Sequence, residues 1–146
     1  YLPVFIILKC SIKLLWNGLP SMIEFFNRMK KQELARWGED TAIEFLKKGN
    51  VKILVRNFRT QSGEIDIIGM EGEDLVFFEV KTRSTTQFGY PEDAVDTRKI
   101  EKIEIVANEY LDQNNLENQN WRIDTIAIIR NSKNGQHNLK WFKNVD

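Results

Sequence analysis

Hydrophobic residues recur along the chain with two different spacings, and the spacing predicts where helices and strands lie. From Met29 they recur every three or four residues, which predicts a helix that ends at the basic last turn and glycine of KKGN. The predicted apolar face of this helix comprises Leu34, Trp37, Thr41, Ala42, Phe45 and Leu46. Three strand-like runs follow, VKILVRNF, EIDIIGM and DLVFFEVKTR, with a turn at RTQSG between the first two.

The second half of the chain also changes from a helical to a strand-like spacing. STTQFGYPEDAVDT has no clear periodicity and predicts a loop, and an amphipathic helix follows with Asp96 or Thr97 as its cap. Its predicted buried face comprises Ile100, Ile103, Ala107, Tyr110 and Leu111. RIDTIAIIR and NLKWF, separated by a turn at NSKNGQ, predict two more strands. The order of strand, helix and strand implies a crossover with parallel pairing, so the expected fold class is α/β, a central mixed sheet flanked by helices.

The first 28 residues differ from the rest because they are apolar and almost free of acidic residues. Their apolar run before Lys9 is too short to span a bilayer, and no basic region precedes it as in a signal peptide. We expect a native start at Met29 or Met22, with residues 1–28 as a mis-assigned or non-native extension, in preference to an amphipathic anchor or docking segment. Residues 29–146 then form a single domain, because their number suits one hydrophobic core.

Composition restricts the chemistry more than it restricts the fold. Lys plus Arg and Asp plus Glu both total 21, so the chain lacks the global basic charge that drives non-specific nucleic-acid binding. Cys10 and His137 are the only cysteine and histidine, which excludes an internal disulfide, a thiolate metal site and a histidine-rich zinc site. A single cysteine also suits the reducing cytosol, so we expect a cytoplasmic protein. Carboxylates, lysine and an oxygen-preferring metal remain as carriers of any chemistry.

The run LVFFEVKTR is apolar on both faces until Glu79 and Lys81 interrupt it. A strand that is apolar on both faces is usually central in its sheet, and a charge placed there is costly unless a partner lies nearby. Residues two apart project from the same side of a strand, so both charges stand on one face. The sequence therefore predicts a partner for them on a neighbouring strand.

The hairpin between EIDIIGM and DLVFFEVKTR supplies that partner. If the joint EGED forms a two-residue turn or a four-residue loop, opposed residues have numbers that sum to 145. Asp66 then faces Glu79, and Glu64 faces Lys81 as a supporting ion pair. A three-residue loop or a bulge would shift this register. Two carboxylates about 5 Å apart repel by roughly 3 kcal/mol at an effective dielectric near 20. Either one of them takes up a proton or a divalent cation lies between them.

Oxygen ligands without histidine or cysteine suit Mg²⁺ or Mn²⁺. We expect Asp66 and Glu79 to bind such a cation, which lowers the pKa of a bound water and neutralises charge on a phosphate. Lys81, on the same face, is placed to orient that water or to stabilise the phosphate. Glu39, from the first helix, completes the metal shell if that helix packs over this side of the sheet.

The motif order RNFRTQSGEIDIIGMEGEDLVFFEVKTR, followed by FGYPEDAVDTRKIEKI, resembles the small bacterial YraN-like family of predicted endonucleases. The resemblance extends from about Gly38 to Ile129 and does not cover residues 1–28. That family is distantly similar to archaeal Holliday-junction resolvases and belongs to the PD-(D/E)xK nuclease superfamily. The resemblance therefore implies a restriction-endonuclease-like fold and hydrolysis of phosphodiesters in structured or branched DNA. The relatives also imply a homodimer.

Carried over residue by residue, the resemblance implies Asp66, Glu79 and Lys81 as the catalytic core, with Glu39 in the helical GE position as an accessory acid. The proline that precedes the aspartate in the superfamily is replaced here by Ile65. Two interpretations stay open. The chain is either a Mg²⁺- or Mn²⁺-dependent endonuclease or a catalytically inactive DNA-binding or protein-docking module that retains the nuclease fold.

Contacts with DNA would have to come from local basic residues. The basic residues nearest in sequence to the proposed site, which we expect to contact phosphates, are Arg56, Arg59, Arg83, Arg98 and Lys99. No base-reading motif is apparent, which favours recognition of nucleic-acid shape over base sequence. Asp124 opens an apolar strand, and we expect it to accept hydrogen bonds from backbone donors rather than to bind metal.

Overall fold

The computed structural model describes residues 22–84, 97–131 and 134–145, without the side chains of residues 23, 25 and 97. In chain order, the described elements are α1 (Met22–Lys48), β1 (Lys52–Arg59), β2 (Glu64–Glu71), β3 (Asp74–Arg83), α2 (Thr97–Asn114), β4 (Trp121–Arg130) and β5 (His137–Phe142). Backbone contacts divide the chain into one unit of residues Tyr1–Gln32 and a second of Glu33–Asp146. All five strands belong to the second unit. The predicted domain boundary after residue 28 stays a prediction.

The five strands form one mixed sheet in the order β1-β2-β3-β4-β5. The β3 and β4 strands are parallel, and the other three pairs are antiparallel. The predicted α/β class, with a mixed sheet flanked by helices, is confirmed. The β3 strand is central, as its apolar residues on both faces predicted, because neighbours on both sides satisfy its backbone while helices cover its faces.

Two hydrophobic cores lie on opposite faces of the sheet. On one face the buried residues of α2 contact sheet residues, and the members that carry most of this core are Ile65, Ile68, Leu75, Phe77, Ile103, Val106, Ala107 and Ile123. On the other face α1 packs against the sheet through Ala42, Ile43 and Leu46, which contact Ile67, Val76, Phe78, Ile126 and Ile128. Each helix thus buries one apolar stripe, as amphipathic helices in a layered α/β fold do.

The β2–β3 hairpin has the register that the sequence predicted. Its two-residue turn places Gly72 at a φ of 63°, a conformation that glycine adopts without steric cost. The paired residues run from Glu71 with Asp74 to Ile67 with Phe78, and each pair sums to 145. The ladder stops after the Ile67–Phe78 pair, so the sum rule does not extend to Asp66 as a backbone pairing.

The α1 helix ends at Lys48, as predicted, although glycine is not the residue that turns the chain. Asn50 adopts the left-handed conformation with a φ of 63°. The Asn50 N–H donates to the Lys47 carbonyl at 3.1 Å, and the Val51 N–H donates to the Leu46 carbonyl at 3.0 Å. These two bonds satisfy carbonyls that the last turn of a helix leaves without partners.

Gly38 lies inside α1 because the helix approaches β3 too closely there for a side chain. A β-carbon at this position would lie 1.8 Å from the Thr82 hydroxyl oxygen and 2.9 Å from its β-carbon. Glycine costs about 1 kcal/mol relative to alanine inside a helix, so close packing is the physical reason for its presence. The contact also fixes where the next residue, Glu39, stands over the sheet.

We expect Gly38→Ala to lower the free energy of unfolding by about 1–3 kcal/mol, because the added methyl overlaps the Thr82 side chain. Urea denaturation of wild type and variant measures this change. Thr82→Ala removes the closest atom, so the double variant should be more stable than the sum of the two single changes predicts. Additive effects within about 0.3 kcal/mol would show that this contact is not the source of the loss.

Two predictions fall on residues outside the described ranges. The predicted loop STTQFGYPEDAVDT lies largely in residues 85–96, and the candidate cap Asp96 lies there too. Where α2 is described, it begins at Thr97. Within the described residues, no helix combines the length and apolar character that a bilayer span requires.

Candidate functional site

The candidate site lies where β2 and β3 stop pairing. Instead of a backbone ladder, the Asp66 carboxylate accepts a hydrogen bond from the Val80 N–H at 2.7 Å. This bond replaces a backbone acceptor on β2 with a side-chain acceptor. The carboxylate is thereby held next to Glu79, the residue that the register predicted as its neighbour.

The side-chain alternation of β2 changes at Asp66. In a regular strand, residues two apart face the same side of the sheet. Here Ile65 packs with Ile68 in the core beneath α2, whereas Ile67 packs in the core beneath α1. The backbone therefore departs from regular strand geometry around Asp66, which explains why the ladder with β3 ends at Ile67. The sequence did not reveal this change, because isoleucine suits both faces of the sheet.

Glu79 and Lys81 occupy the end of β3 and lie beside β4. Glu79 is buried, with 8% of its surface exposed, and the Lys81 ammonium lies 3.8 Å from its carboxylate. In the parallel ladder, Glu79 pairs with Thr125 and Lys81 pairs with Ala127, so both backbones are held firmly on that side. The two charges of LVFFEVKTR stand on one face of the strand, as predicted, and in addition they lie within ion-pair distance of each other.

The pKa of Asp66 is raised from 3.8 to about 6, chiefly because burial removes water from the carboxylate. The negative charges of Glu39 and Glu79 raise this pKa further. The hydrogen bond from Val80 and the positive charge of Lys99 act in the opposite direction without cancelling the rise. The ionised form of Asp66 is therefore disfavoured.

Glu39 reaches this cluster from α1. Its carboxylate accepts a hydrogen bond from the Asn57 side-chain amide at 2.9 Å and lies 4.0 Å from the Arg56 guanidinium. A residue on the flank of a helix is usually solvated, but only 15% of the Glu39 side chain is exposed. Its negative charge acts on Asp66, which places it near the predicted site.

Asn57 is a member of this cluster that sequence reasoning missed. It lies on β1 between Arg56, which pairs with Ile67, and Phe58, which pairs with Ile65, so it stands beside Asp66 in the sheet. Its φ of 50° is unusual for a strand. The signal in the sequence was an asparagine inside the strand-like run VKILVRNF, because asparagine is depleted in strands and tolerates a left-handed backbone.

Mg²⁺ or Mn²⁺ suits the donor set of Asp66 and Glu79. Among the described side chains, no group of three histidine, cysteine, aspartate or glutamate residues is close enough to hold a metal ion. Mg²⁺ is commonly bound by one or two carboxylates together with waters and substrate phosphates, so two carboxylates meet its requirement. Direct ligation by Glu39 stays a prediction, since its carboxylate is bound by Asn57.

Glu64 does not pair with Lys81 as the register suggested. Its carboxylate instead forms an ion pair with Arg59 at 3.2 Å, directly across the β1–β2 ladder. The reason is that β2 and β3 have already separated at Asp66, so Glu64 pairs with a residue of β1 instead of β3. Both members of the pair are exposed, and such pairs contribute little to stability.

The predicted phosphate-contacting residues differ in their surroundings. Arg56 forms a 2.6 Å ion pair with Asp40, and Arg59 is paired with Glu64. Lys99 is half-buried and acts electrostatically on Asp66. Arg98 is exposed, and Arg83 is half-buried. Binding of nucleic acid by these five residues stays a prediction.

Asp124 has the structural role that the sequence suggested, with more partners than expected. It is fully buried and accepts hydrogen bonds from the Arg122 guanidinium at 3.0 and 3.1 Å, from the Trp141 indole at 2.8 Å and from the Asn144 N–H at 3.0 Å. Arg122 also contacts Glu71 and Asp74. The Asp124 carboxylate is thus surrounded by hydrogen-bond donors, which distinguishes Asp124 from the desolvated Asp66.

Comparison with known proteins places this chain in a family. Residues 38–128 match the model of the uncharacterised protein family UPF0102. A UPF0102 protein of Caldicellulosiruptor saccharolyticus is 41% identical over 117 residues, which cover 80% of this chain and 99% of that protein. One from Clostridioides difficile strain 630 is 39% identical over 114 residues, covering 78% and 100% respectively. One from Syntrophomonas wolfei is 48% identical over 80 residues, covering 55% and 70%.

The family match begins at Gly38, whose lack of a side chain lets α1 approach β3. It extends through Asp66, Glu79 and Lys81 and ends within β4. The matched region therefore contains the whole carboxylate cluster and the strands β1, β2 and β3 that hold it, but not β5. The expected YraN-like relationship is confirmed: the chain belongs to the UPF0102 family.

Proposed function

We propose that this protein is a Mg²⁺- or Mn²⁺-dependent endonuclease of the PD-(D/E)xK superfamily that hydrolyses phosphodiesters in structured or branched DNA. The observation that carries the proposal is the convergence of Asp66 and Glu79 where β2 and β3 separate, with Lys81 beside Glu79. A raised carboxylate pKa next to further acidic groups is a common feature of functional sites. The order of these residues along the chain is that of the superfamily core.

Each residue of the cluster has a distinct role in this proposal. Asp66 and Glu79 bind the divalent cation, which supplies Lewis-acid activation of water and charge neutralisation at the phosphate. Lys81 stabilises negative charge on the phosphate or orients the attacking water. Glu39, supported by Asn57, adds negative charge near Asp66 and so favours binding of a cation there.

The proposed substrate is structured DNA recognised through its phosphates. Arg56, Arg59, Arg83, Arg98 and Lys99 surround the carboxylate cluster in sequence, and Lys99 is electrostatically coupled to Asp66. Phosphate contacts position a duplex without reading its bases, which suits a protein without a base-reading motif. A homodimer, proposed from the resemblance to resolvases, would let two such sites act on two strands.

A catalytically inactive DNA-binding or protein-docking module is the second candidate function. The hydrogen bond from the Val80 N–H to Asp66 favours it, because one oxygen of this carboxylate is already held by the backbone of β3. The raised pKa of Asp66 also allows the neutral carboxyl to persist near pH 6. The two candidates differ in whether divalent cations bind with an affinity that depends on Asp66 and Glu79.

We expect Lys81→Ala to reduce cleavage of branched DNA in Mn²⁺ by roughly 100- to 1000-fold, the range found when a positioned electrostatic group is removed from an active site. Cleavage of labelled four-way-junction, single-stranded and duplex oligonucleotides measures the effect. Lys52→Ala is a matched control, because Lys52 is an exposed lysine on β1. Circular dichroism establishes that both variants are folded.

Equal cleavage by wild type and Lys81→Ala would indicate a contaminating nuclease and contradict the enzyme proposal.

Isothermal titration calorimetry provides an independent test. Wild type should bind Mn²⁺, and Glu79→Gln should weaken that binding because it removes a charged ligand. If wild type and Glu79→Gln show the same heats, the inactive module is the better description.

A further inference from the structure

A groove of about 490 Å³ lies between the β1–β2 turn and α2, next to the candidate site. Its lining residues that matter for binding are Arg59, Thr60, Ser62, Glu64, Lys99 and Lys102. Three of these carry a positive charge, one carries a negative charge, and two carry hydroxyl groups. The groove therefore presents net positive charge to whatever enters it.

The positive charge of the groove is concentrated on two lysines. Arg59 is paired with Glu64 at 3.2 Å, so these two residues largely neutralise each other. Lys99 and Lys102 lie three residues apart on α2, which puts them on the same face of the helix. Within residues 22–84, 97–131 and 134–145, neither lysine has an ion-pair partner within 4.0 Å. Their charges are available to an anionic ligand.

The wall opposite these lysines is a turn stabilised by hydrogen bonds. In the β1–β2 turn, the Thr60 N–H donates to the Gly63 carbonyl at 2.9 Å, and the Ser62 N–H donates to the Thr60 hydroxyl at 3.1 Å. The Ser62 hydroxyl donates to the Glu109 carboxylate of α2 at 2.5 Å. Hydrogen bonds from Ser62 and Thr60 lower the pKa of Glu109. The turn is thus fastened to α2, and the groove exists before a ligand arrives.

Each wall of the groove contains a residue that is close to the carboxylate cluster. On β2, Glu64 of the groove is two residues from Asp66. On α2, the positive charge of Lys99 acts on Asp66 while its side chain lines the groove. A polyanion that occupies the groove therefore continues toward the site where Asp66 and Glu79 converge.

We infer that this groove binds a backbone phosphate of the nucleic-acid strand, with Lys99 and Lys102 as its cationic contacts. This phosphate flanks the phosphodiester that a cation on Asp66 and Glu79 would contact. This inference rests on the proposed function, because it takes the carboxylate cluster as the place where a phosphodiester binds. Lysines act on phosphate as point charges, so the contact reads no bases. It adds Lys102 to the expected contacts and gives the strand one defined path across the protein.

Lys102 provides the sharper test because it is exposed and outside the carboxylate cluster. The affinity of wild type, Lys102→Ala, Lys102→Arg and Lys47→Ala for a fluorescein-labelled four-way junction is measured by anisotropy in EDTA across a range of salt concentrations. Lys102→Ala should weaken binding about two- to fivefold and reduce the salt slope by about 0.7–0.9, the contribution of one phosphate contact. Lys102→Arg should preserve the slope. Lys47, exposed in the last turn of α1, serves as the control and should not change it.

The groove inference and the catalytic proposal fail in different ways. A Lys102→Ala slope equal to that of wild type, or a loss matched by Lys47→Ala, overturns the groove inference even if wild type cleaves DNA. A slope that depends on Lys102 supports it even if no cleavage occurs with Mn²⁺, since binding is measured without metal. Absence of junction binding by wild type overturns the groove inference directly. Melting curves of the Lys102 variants, which are expected to match wild type, exclude misfolding as the cause of a loss.

Discussion

Asp66→Asn is expected to stabilise the metal-free protein by about 3 kcal/mol at pH 8 while abolishing metal-dependent cleavage. The stabilisation follows from the pKa of Asp66, which is raised from 3.8 to about 6, because each pKa unit corresponds to about 1.4 kcal/mol. Asparagine keeps an oxygen that can accept the Val80 N–H but carries no charge to desolvate. A residue that destabilises its own fold in this way is typical of a functional site.

The pH dependence of this gain has a definite sign. Below about pH 4, Asp66 is protonated in both the folded and the unfolded chain, so it costs nothing. Between about pH 4 and 6, the unfolded chain ionises while the folded carboxyl keeps its proton, and stability falls as pH rises. Above about pH 6 the carboxyl ionises in the folded chain too, so the loss of stability stops growing. The advantage of Asp66→Asn should therefore be present above pH 6 and vanish as pH falls through 4.

Urea denaturation of wild type and Asp66→Asn between pH 4 and 8, in EDTA, measures this difference. Asp112→Asn is the matched control, because Asp112 is an exposed aspartate on α2 and its substitution should change stability by less than about 0.5 kcal/mol. A wild type that is more stable than Asp66→Asn at pH 8 would contradict the prediction. It would mean that the environment of Asp66 favours its charge.

Asp124→Ala is expected to lower the free energy of unfolding by about 3–5 kcal/mol, enough to unfold a marginally stable domain. The fully buried Asp124 carboxylate accepts hydrogen bonds from Arg122, Trp141 and Asn144. Removing it leaves three donors without their acceptor, one of them a largely buried guanidinium. Arg122 retains Glu71 and Asp74, which limits the loss.

The thermal unfolding midpoint and urea denaturation of Asp124→Ala measure this effect, and Asp112→Ala is the exposed control. Asp124→Asn should be intermediate, because the amide oxygen can still accept one of the neutral donors while the charge that balances Arg122 is lost. A loss below about 1 kcal/mol for Asp124→Ala would show that Asp124 does not organise this cluster.

The opposite signs of these two predictions separate function from structure. Both acids lie in strands among apolar residues, and inspection of the sequence cannot distinguish their roles by composition alone. Asp124 is surrounded by donors that stabilise its charge. Asp66 has one backbone donor and two nearby negative charges. Loss of stability on substitution therefore marks the structural acid, and gain marks the candidate catalytic one.

Local patterns were sufficient to predict the elements and most of the sheet. The predicted strands agree with the described ones to within one residue, and the parallel pairing of β3 with β4 follows from the intervening helix. The α2 helix extends three residues further than predicted, to Asn114, and α1 begins at Met22 rather than at Met29. The hairpin register was also predictable, because a two-residue turn allows only one alignment of the two strands. A shift of one residue would move buried side chains to the opposite face of the sheet. The clustering of Asp66, Glu79 and Lys81 followed from that register.

The sequence by itself determined the strands, the central position of β3 and the register of the β2–β3 hairpin, because periodicity and short turns are local properties. Only the tertiary structure decided that β2 leaves β3 at Asp66, so that Glu64 pairs with Arg59. It also decided the roles of Gly38 and Asn57, which depend on how closely α1 approaches the sheet. Distances between elements that are remote in the chain arise from packing, so the spacing of side chains along one strand or helix cannot predict them.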